Sequence, residues 1–264
     1  MIPRILHYVW VGDRPLPDKV RVNLETWSET NPDFEIRAWT NDNVSFDNSY
    51  LEYCRTHRRW ANASNYIRLQ KVLEHGGIYL DTDVMVIGSL APLLRNKCFF
   101  GFQVEDEQSD RVNNAVFGAE PRHWFIEACR ERLLREFDGS EPANHSSPRM
   151  VTRLLLEHGL EAYDRRGALI KDIRIYPRPV FYPYSWAEPF SLFAIRRETM
   201  TVHFWDKSWA PEKQGDGTNE PSGATAKRLH DLELEHQHLI RDALRLKRSA
   251  TITIRRRKPR PRAA

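Results

Sequence analysis

Gly76-Gly77-Ile78-Tyr79-Leu80-Asp81-Thr82-Asp83-Val84 is the stretch on which the reading of this chain turns. It sets two carboxylates one residue apart at the end of a short apolar run. In an extended backbone residues i and i+2 project to the same side, so Asp81 and Asp83 can converge on one hard cation. Two acidic oxygen donors with room left for phosphate oxygens is how Mg²⁺ or Mn²⁺ is commonly shared between a protein and a nucleotide. The glycine pair ends the preceding helix and lets backbone approach a ligand closely. The stretch therefore reads as a candidate metal–diphosphate site.

Upstream, residues 60–75 read as a helix that closes at Gly76-Gly77, with Ile67, Leu69, Val72 and Leu73 turned inward. Residues 5–11 are β-rich and almost wholly apolar, a buried first strand. Residues 18–30 carry Val20, Leu24 and Trp27 at helical spacing, and residues 34–39 alternate as a half-buried second strand. Downstream, residues 84–87, 98–104 and 115–119 read as strands, and 123–137 and 148–158 as helices. The Pro- and aromatic-rich run 173–189 reads as extended chain folded over the active face. Strands alternating with helices predict an α/β domain with a mainly parallel central sheet, which binds ligands at the carboxyl ends of its strands.

After residue 209 comes a polar Gly/Pro stretch, 211–223. Leu229, Leu232, His236, Leu239, Ala243 and Leu246 then follow helical spacing on one face. The expected organisation is one domain over 1–222, an amphipathic C-terminal helix over 223–248, and a basic, disordered tail over 249–264.

The net charge of +4 comes from one end: residues 245–264 hold nine Lys or Arg and no acid, and taking these nine from +4 leaves the remainder at −5. A basic tail on a mildly acidic body points to an anionic surface or partner rather than a nucleic-acid cleft. Cys54, Cys98 and Cys129 lack metal-ligand spacing, which fits a reducing compartment. No run approaches the roughly 20 apolar residues that span a bilayer, and no signal peptide is visible. The expected location is cytoplasmic, with the tail able to hold the protein on the inner face of a membrane.

Further polar groups accompany the carboxylates. Ser64, Asn65 and Arg68 fall within one turn of the helix that precedes them. Thr201-Val202-His203-Phe204-Trp205-Asp206-Lys207-Ser208-Trp209 offers an imidazole, a hydroxyl and an indole N–H, the donor set a diphosphate needs. With Ile2-Pro3-Arg4-Ile5-Leu6-His7-Tyr8-Val9-Trp10-Val11-Gly12, Ala63-Ser64-Asn65-Tyr66-Ile67-Arg68 and Gly76 to Val84, this segment makes the chain recognisable. In these four pieces, in this order, the chain resembles the DXD-containing sugar-transferase family. That family includes Golgi-type α-mannosyltransferases and bacterial capsular sugar transferases, and is distantly similar to the large glucosylating bacterial toxins.

The resemblance implies a GT-A fold, a nucleotide-sugar donor (UDP- or GDP-sugar), a divalent metal (Mn²⁺ or Mg²⁺) and retention of anomeric configuration. By position, Trp10 would stack on the base, Ser64 and Arg68 would contact the sugar or ribose side, and Tyr79 would line the donor pocket. Asp83 would bind metal directly, Asp81 ribose and metal, and His203 would complete the metal shell. Ser208 and Trp209 would hold the diphosphate, and Asn114 would face the sugar. The family usually has Ser-Asp where this chain has Ser64-Asn65. An amide carries no charge, so Asn65 puts a different donor grip at this position. Asp81, Asp83, Arg68 and Asn114 are the candidate catalytic residues. No carboxylate nucleophile stands out, with Glu105, Asp106, Asp110 and Glu188 as the options.

The expected reaction is sugar transfer to a glycan, lipid-linked or polysaccharide acceptor. A protein acceptor, a D-x-D phosphohydrolase and a silent sugar-binding module are the alternatives. A phosphohydrolase normally carries its pair on the first strand, whereas here it lies about 80 residues in. Nothing in the body interleaves basic and aromatic residues as nucleic-acid strand binders do.

Overall fold

The computed structural model describes residues 1–105, 110–206 and 223–256, with side chains of the last helix described at 227, 228 and 230–247. Nine strands are present among them: β1 (Ile5–Val9), β2 (Glu35–Trp39), β3 (Gly77–Leu80), β4 (Val84–Val86), β5 (Cys98–Phe102), β6 (Val112–Ala119), β7 (Ala168–Ile170), β8 (Ile173–Tyr176) and β9 (Thr201–His203). Seven form one sheet in the order β2-β1-β3-β6-β5-β8-β7, and β4 pairs with β9 as a separate antiparallel ribbon. Within the large sheet β2, β1, β3, β5 and β8 run in one direction and β6 and β7 oppose them. The expected mainly parallel sheet is thus observed.

Both faces of this sheet are covered, so its strands are apolar on both sides. Successive residues still separate by parity. Tyr79, Phe100 and Phe117 enter one core cluster, together with side chains of α2 (Ser49–Thr56), α3 (Trp60–His75), α4 (Trp124–Glu136) and α5 (Met150–Glu157). Ile78, Leu80, Phe99 and Val116 enter the other, with Trp27 of α1 (Asp18–Thr30) and with Phe181 and Tyr182. A third, smaller cluster joins the β4–β9 ribbon to residues 184–195 and to Ile240 and Leu244 of α6 (Gly223–Arg256). All three cysteines are buried free thiols.

Helices α1 and α3 have the expected bounds. The short α2, whose N-terminus is capped by the Asn48 side chain accepting from the Leu51 N–H, was not anticipated. The head of the run expected to be extended chain over the active face is instead a strand of the large sheet, β8. The C-terminal helix differs in two respects. It continues to Arg256, past the expected boundary at 248, while residues 257–264 lie outside the described ones. Its expected apolar face is not the one that packs inward: Ile240 and Leu244 are buried, whereas Leu232, Leu239 and Leu246 are exposed. The reason is a polar docking on α1, where Gln237 donates to Asn23 (2.7 Å) and Arg241 pairs with Glu25 (3.0 Å), which turns the other side of the helix inward. The Leu229 side chain lies outside the described ones. No described helix is long and apolar enough to cross a membrane.

His7 anchors the turn that precedes the paired carboxylates. It is fully buried, its Nε2–H donates to the Gly76 carbonyl (2.7 Å), and its Nδ1 accepts from the Trp39 indole (3.1 Å). Gly77, with φ +106°, lies so close that a Cβ there would sit 2.7 Å from His7 Nε2, so only glycine fits. Burial, partly offset by the Gly76 carbonyl, lowers the His7 imidazole to about 4. A proton on Nδ1 would also face the indole N–H instead of accepting from it. The unfolded chain therefore takes up a proton near the ordinary value of 6.5 while the folded chain resists it, and stability falls as pH drops through that window. Between pH 7 and pH 5 this group alone should remove about 2 kcal/mol. Urea unfolding at the two pH values checks it. His7→Gln, which can donate to Gly76 and accept from Trp39 without titrating, should lack this part of the slope.

Candidate active site

The paired carboxylates lie at the carboxyl end of β3. The Asp81 N–H donates to the Ala115 carbonyl (2.8 Å), one rung beyond β3, and the Val84 N–H then closes a turn on the Asp81 carbonyl (3.0 Å). The convergence of Asp81 and Asp83 thus comes from a turn and not from a continuing extended strand. Helix α1 holds that turn: Asn23 donates to the Thr82 carbonyl (2.9 Å), Trp27 to the Val84 carbonyl (2.8 Å), and the Thr26 hydroxyl accepts from the Val86 N–H (3.0 Å).

Pairing of β4 with β9 sets Val84 opposite His203. This brings the imidazole to the carboxylates across about 120 residues of chain, with His203 Nε2 3.1 Å from Asp83 Oδ1. The Phe204 N–H donates to the Asp83 carbonyl (3.0 Å) and the Asp206 N–H to Asp83 Oδ2 (2.9 Å). One ligand atom each from Asp81, Asp83 and His203 falls within 4.8 Å of the others, the only such group among the described residues.

Arg68 holds the other side of the cluster. Its guanidinium is buried and pairs with Asp81 Oδ1 (3.0 Å). It also donates to the Ser64 hydroxyl (3.1 Å) and carbonyl (3.2 Å) and to the Asn114 carbonyl (3.1 Å), and it lies over the Tyr79 ring. The Tyr79 hydroxyl donates to the same Asp81 oxygen (2.8 Å). Ser64, Arg68, Tyr79 and Asp81 therefore form one network.

Burial, with the like charge of Asp83 adding to it, pushes the Asp81 carboxyl above the usual range even though Arg68 opposes the shift. Burial also disfavours the Asp83 anion. The His203 charge, the His203 hydrogen bond and the Asp206 N–H outweigh it and hold Asp83 below the ordinary value. For His203, burial works against the cation, and Asp83 and Asp81 overcome it, so this imidazole is raised. Two carboxylates and an imidazole around a common point form an O,O,N donor set that could hold a divalent cation. A cation there would relieve the same repulsion that His203 and Arg68 now offset.

Trp10, one residue beyond β1, lies at the same sheet edge as Asp81, one residue beyond the parallel neighbour β3. It is half-buried, and its indole donates to the Arg14 carbonyl (2.9 Å). Asn65 points away from the Ser64–Arg68 side, its Nδ2 donating to the Ala143 carbonyl (2.8 Å) and to Ser146 (3.3 Å). An aspartate there would set a carboxylate against that carbonyl, so the amide is matched to this loop. Asn114, buried on β6, accepts from the Ser147 hydroxyl (2.5 Å), and its Nδ2 is buried with no partner among the described residues. Ser208, Trp209 and Asp106 lie outside the described residues. Glu188 is engaged by Arg178 and by the Ser185 N–H (2.6 Å), a structural tie.

Sequence reasoning missed Ser146 and Ser147, on the π-helical turn His145–Arg149 that links Asn65 to Asn114. The Ser-Ser-Pro run ahead of a helix was the only local signal. It also missed Tyr182, whose hydroxyl accepts from the Val116 N–H (2.9 Å) and whose ring packs against His203.

Residues 17–100 match the glycosyltransferase sugar-binding region containing the DXD motif, and residues 118–228 match the alpha 1,4-glycosyltransferase conserved region. The two matches lie on separate parts of the chain, and both are to glycosyltransferase regions. It is 27% identical over 166 residues to an uncharacterised glycosyltransferase of Acanthamoeba polyphaga mimivirus, covering 60% of this chain and 66% of that one. It is 27% identical over 177 residues to human lactosylceramide 4-alpha-galactosyltransferase (63% and 46%). To human alpha-1,4-N-acetylglucosaminyltransferase it is 31% identical over 137 residues (50% and 37%). The chain thus spans less than two thirds of the length of these relatives. Among solved structures the PaToxG glycosyltransferase superposes with a TM-score of 0.50 at 18% identity, over 59% of this chain and 69% of that one, and shares the GT-A fold.

Proposed function

We propose that this chain is a divalent-metal-dependent, retaining hexosyltransferase that moves a sugar from a UDP- or GDP-sugar to a hydroxyl of a glycan or lipid-linked acceptor. The observation that carries the reading is the convergence of Asp81, Asp83 and His203 from two distant segments within 4.8 Å, beside a buried arginine. The names of the relatives, a lactosylceramide 4-alpha-galactosyltransferase and an alpha-1,4-N-acetylglucosaminyltransferase, support an α-1,4 bond to a sugar as the product. Making an α bond from an α-linked nucleotide sugar keeps the anomeric configuration.

Asp83, Asp81 and His203 would hold the cation, which supplies Lewis-acid neutralisation of charge on the departing diphosphate. Arg68 and Tyr79 fix the Asp81 carboxylate through one of its oxygens and limit its rotation. The Asp206 N–H fixes Asp83 in the same way, and Ser208 and Trp209 follow two and three residues later as donors to the diphosphate. Trp10 at the same sheet edge serves the base. The unpartnered Nδ2 of Asn114 is a donor for a sugar oxygen, and its carbonyl is tied to Arg68. In a front-face substitution the sugar C–O bond to phosphate breaks and the acceptor oxygen bonds the anomeric carbon on the same face. The acceptor proton goes to the leaving phosphate oxygen, so no carboxylate nucleophile is required.

The test is a donor screen. Common UDP- and GDP-sugars are incubated with purified protein and Mn²⁺, or with chelator, and nucleotide release is followed. Release with one donor, abolished by chelator, is the expected result. No release and no metal-dependent nucleotide binding with any donor would overturn the reading.

A further inference from the structure

Helix α6 carries exposed leucines and touches an exposed aromatic through Lys247. Phe193, in the short 3-10 turn Leu192–Ala194, is 95% exposed, and Leu246 and Leu239 are 73% and 67% exposed. Leu239 and Leu246 stand seven residues apart, so they share one side of the helix. The turn and the helix are joined: Lys247 donates to the Leu192 carbonyl and lies over the Phe193 ring, 5.6 Å from its centroid.

Charge sorts along the same helix. Asp242, the one acid between the two leucines, is paired with Arg241 and Arg245. From residue 245 onward the chain holds nine cations and no acid. Glu233 and Glu235 lie upstream, away from this end. We propose that Phe193, Leu239 and Leu246 form a docking face for an anionic lipid surface, with Lys247 at its edge meeting the headgroup charge. An aromatic and leucines flanked by Lys and Arg is the arrangement that seats amphipathic segments at the headgroup–acyl boundary. The cations favour this occupant over a second copy of the chain, which carries the same charges.

Ile240 and Leu244, on the opposite side of α6, share the third core cluster with Met85 of β4 and Val202 of β9. The docking face is thus built on the same small unit that positions Asp83 and His203. A lipid-held acceptor would be brought to that unit, a consequence that rests on the transferase reading, whereas the docking does not.

The experiment is vesicle flotation of the full chain, with phosphatidylcholine alone and with phosphatidylcholine mixed with phosphatidylglycerol, at low and high salt. The chain should bind the mixed vesicles only, and less at high salt. The double variant Phe193→Ser/Leu246→Ser should lose roughly tenfold or more in affinity, with an unchanged melting temperature because both side chains are exposed. Leu239→Gln gives an independent second variant with a smaller loss. Absence of binding to mixed vesicles, equal binding to both vesicle types, or unaltered binding by the double variant would overturn the proposal. So would a dimer, seen by sedimentation equilibrium, that the double variant breaks, because a second copy would then own the face. Neither donor nor metal enters the assay, so its failure is distinct from failure of the transferase reading.

Discussion

Asp83→Ala should leave a folded protein that no longer binds a nucleoside diphosphate in a manganese-dependent manner, with sugar transfer reduced on the order of 10³-fold or more. Asp83 is the point where the two halves of the site meet: its side chain receives His203 and the Asp206 N–H. Removing it takes away one of three candidate ligands and leaves the raised His203 imidazole without its main counter-charge. The fold should survive, because the backbone tie from Phe204 to the Asp83 carbonyl and the β4–β9 pairing do not involve the side chain. Titration of UDP or GDP with and without Mn²⁺, beside a melting curve, checks both halves. A variant that keeps metal-dependent nucleotide binding and activity would refute the metal assignment.

Arg68→Met should cost about 3 kcal/mol of stability in addition to activity. The guanidinium is buried and serves Asp81, Ser64, Tyr79 and the Asn114 carbonyl together, so its loss leaves a largely desolvated carboxylate beside a second one. Asp81, already raised by burial, would move further up and hold a cation less well at neutral pH. The melting temperature should fall by roughly 10 °C. Arg68→Lys keeps the charge but reaches fewer partners, so its loss should be smaller. A melting temperature unchanged in Arg68→Met would show that the network does not carry the site.

Much of this was legible in the sequence because it rests on short-range chemistry. Helices α1 and α3 announce themselves through apolar spacing, and Gly76-Gly77 ends the second of them where the strand begins. Arg68, Ser64, Tyr79 and the carboxylates sit within twenty residues of one another, close enough for a motif to record them. Ser146, Ser147 and Tyr182 were not legible. Their contacts with Asn65, Asn114 and Val116 cross from about 30 to 80 residues, and no local spacing encodes such a meeting. The eight-residue α2 and the four-residue β8 are too short for periodicity to separate them from loop.

The sequence by itself determined the chemistry on offer: two carboxylates after a glycine turn, an imidazole far downstream, a helix with spaced leucines and a cationic end. Only the tertiary structure decided how these were used. It put His203 on Asp83 through the β4–β9 ribbon, gave the two aspartates opposite shifts through their different partners, and turned the spaced leucines of α6 outward. The reason is physical: a residue's type and spacing are local, whereas its charge state and its burial are set by whatever distant groups the fold packs against it.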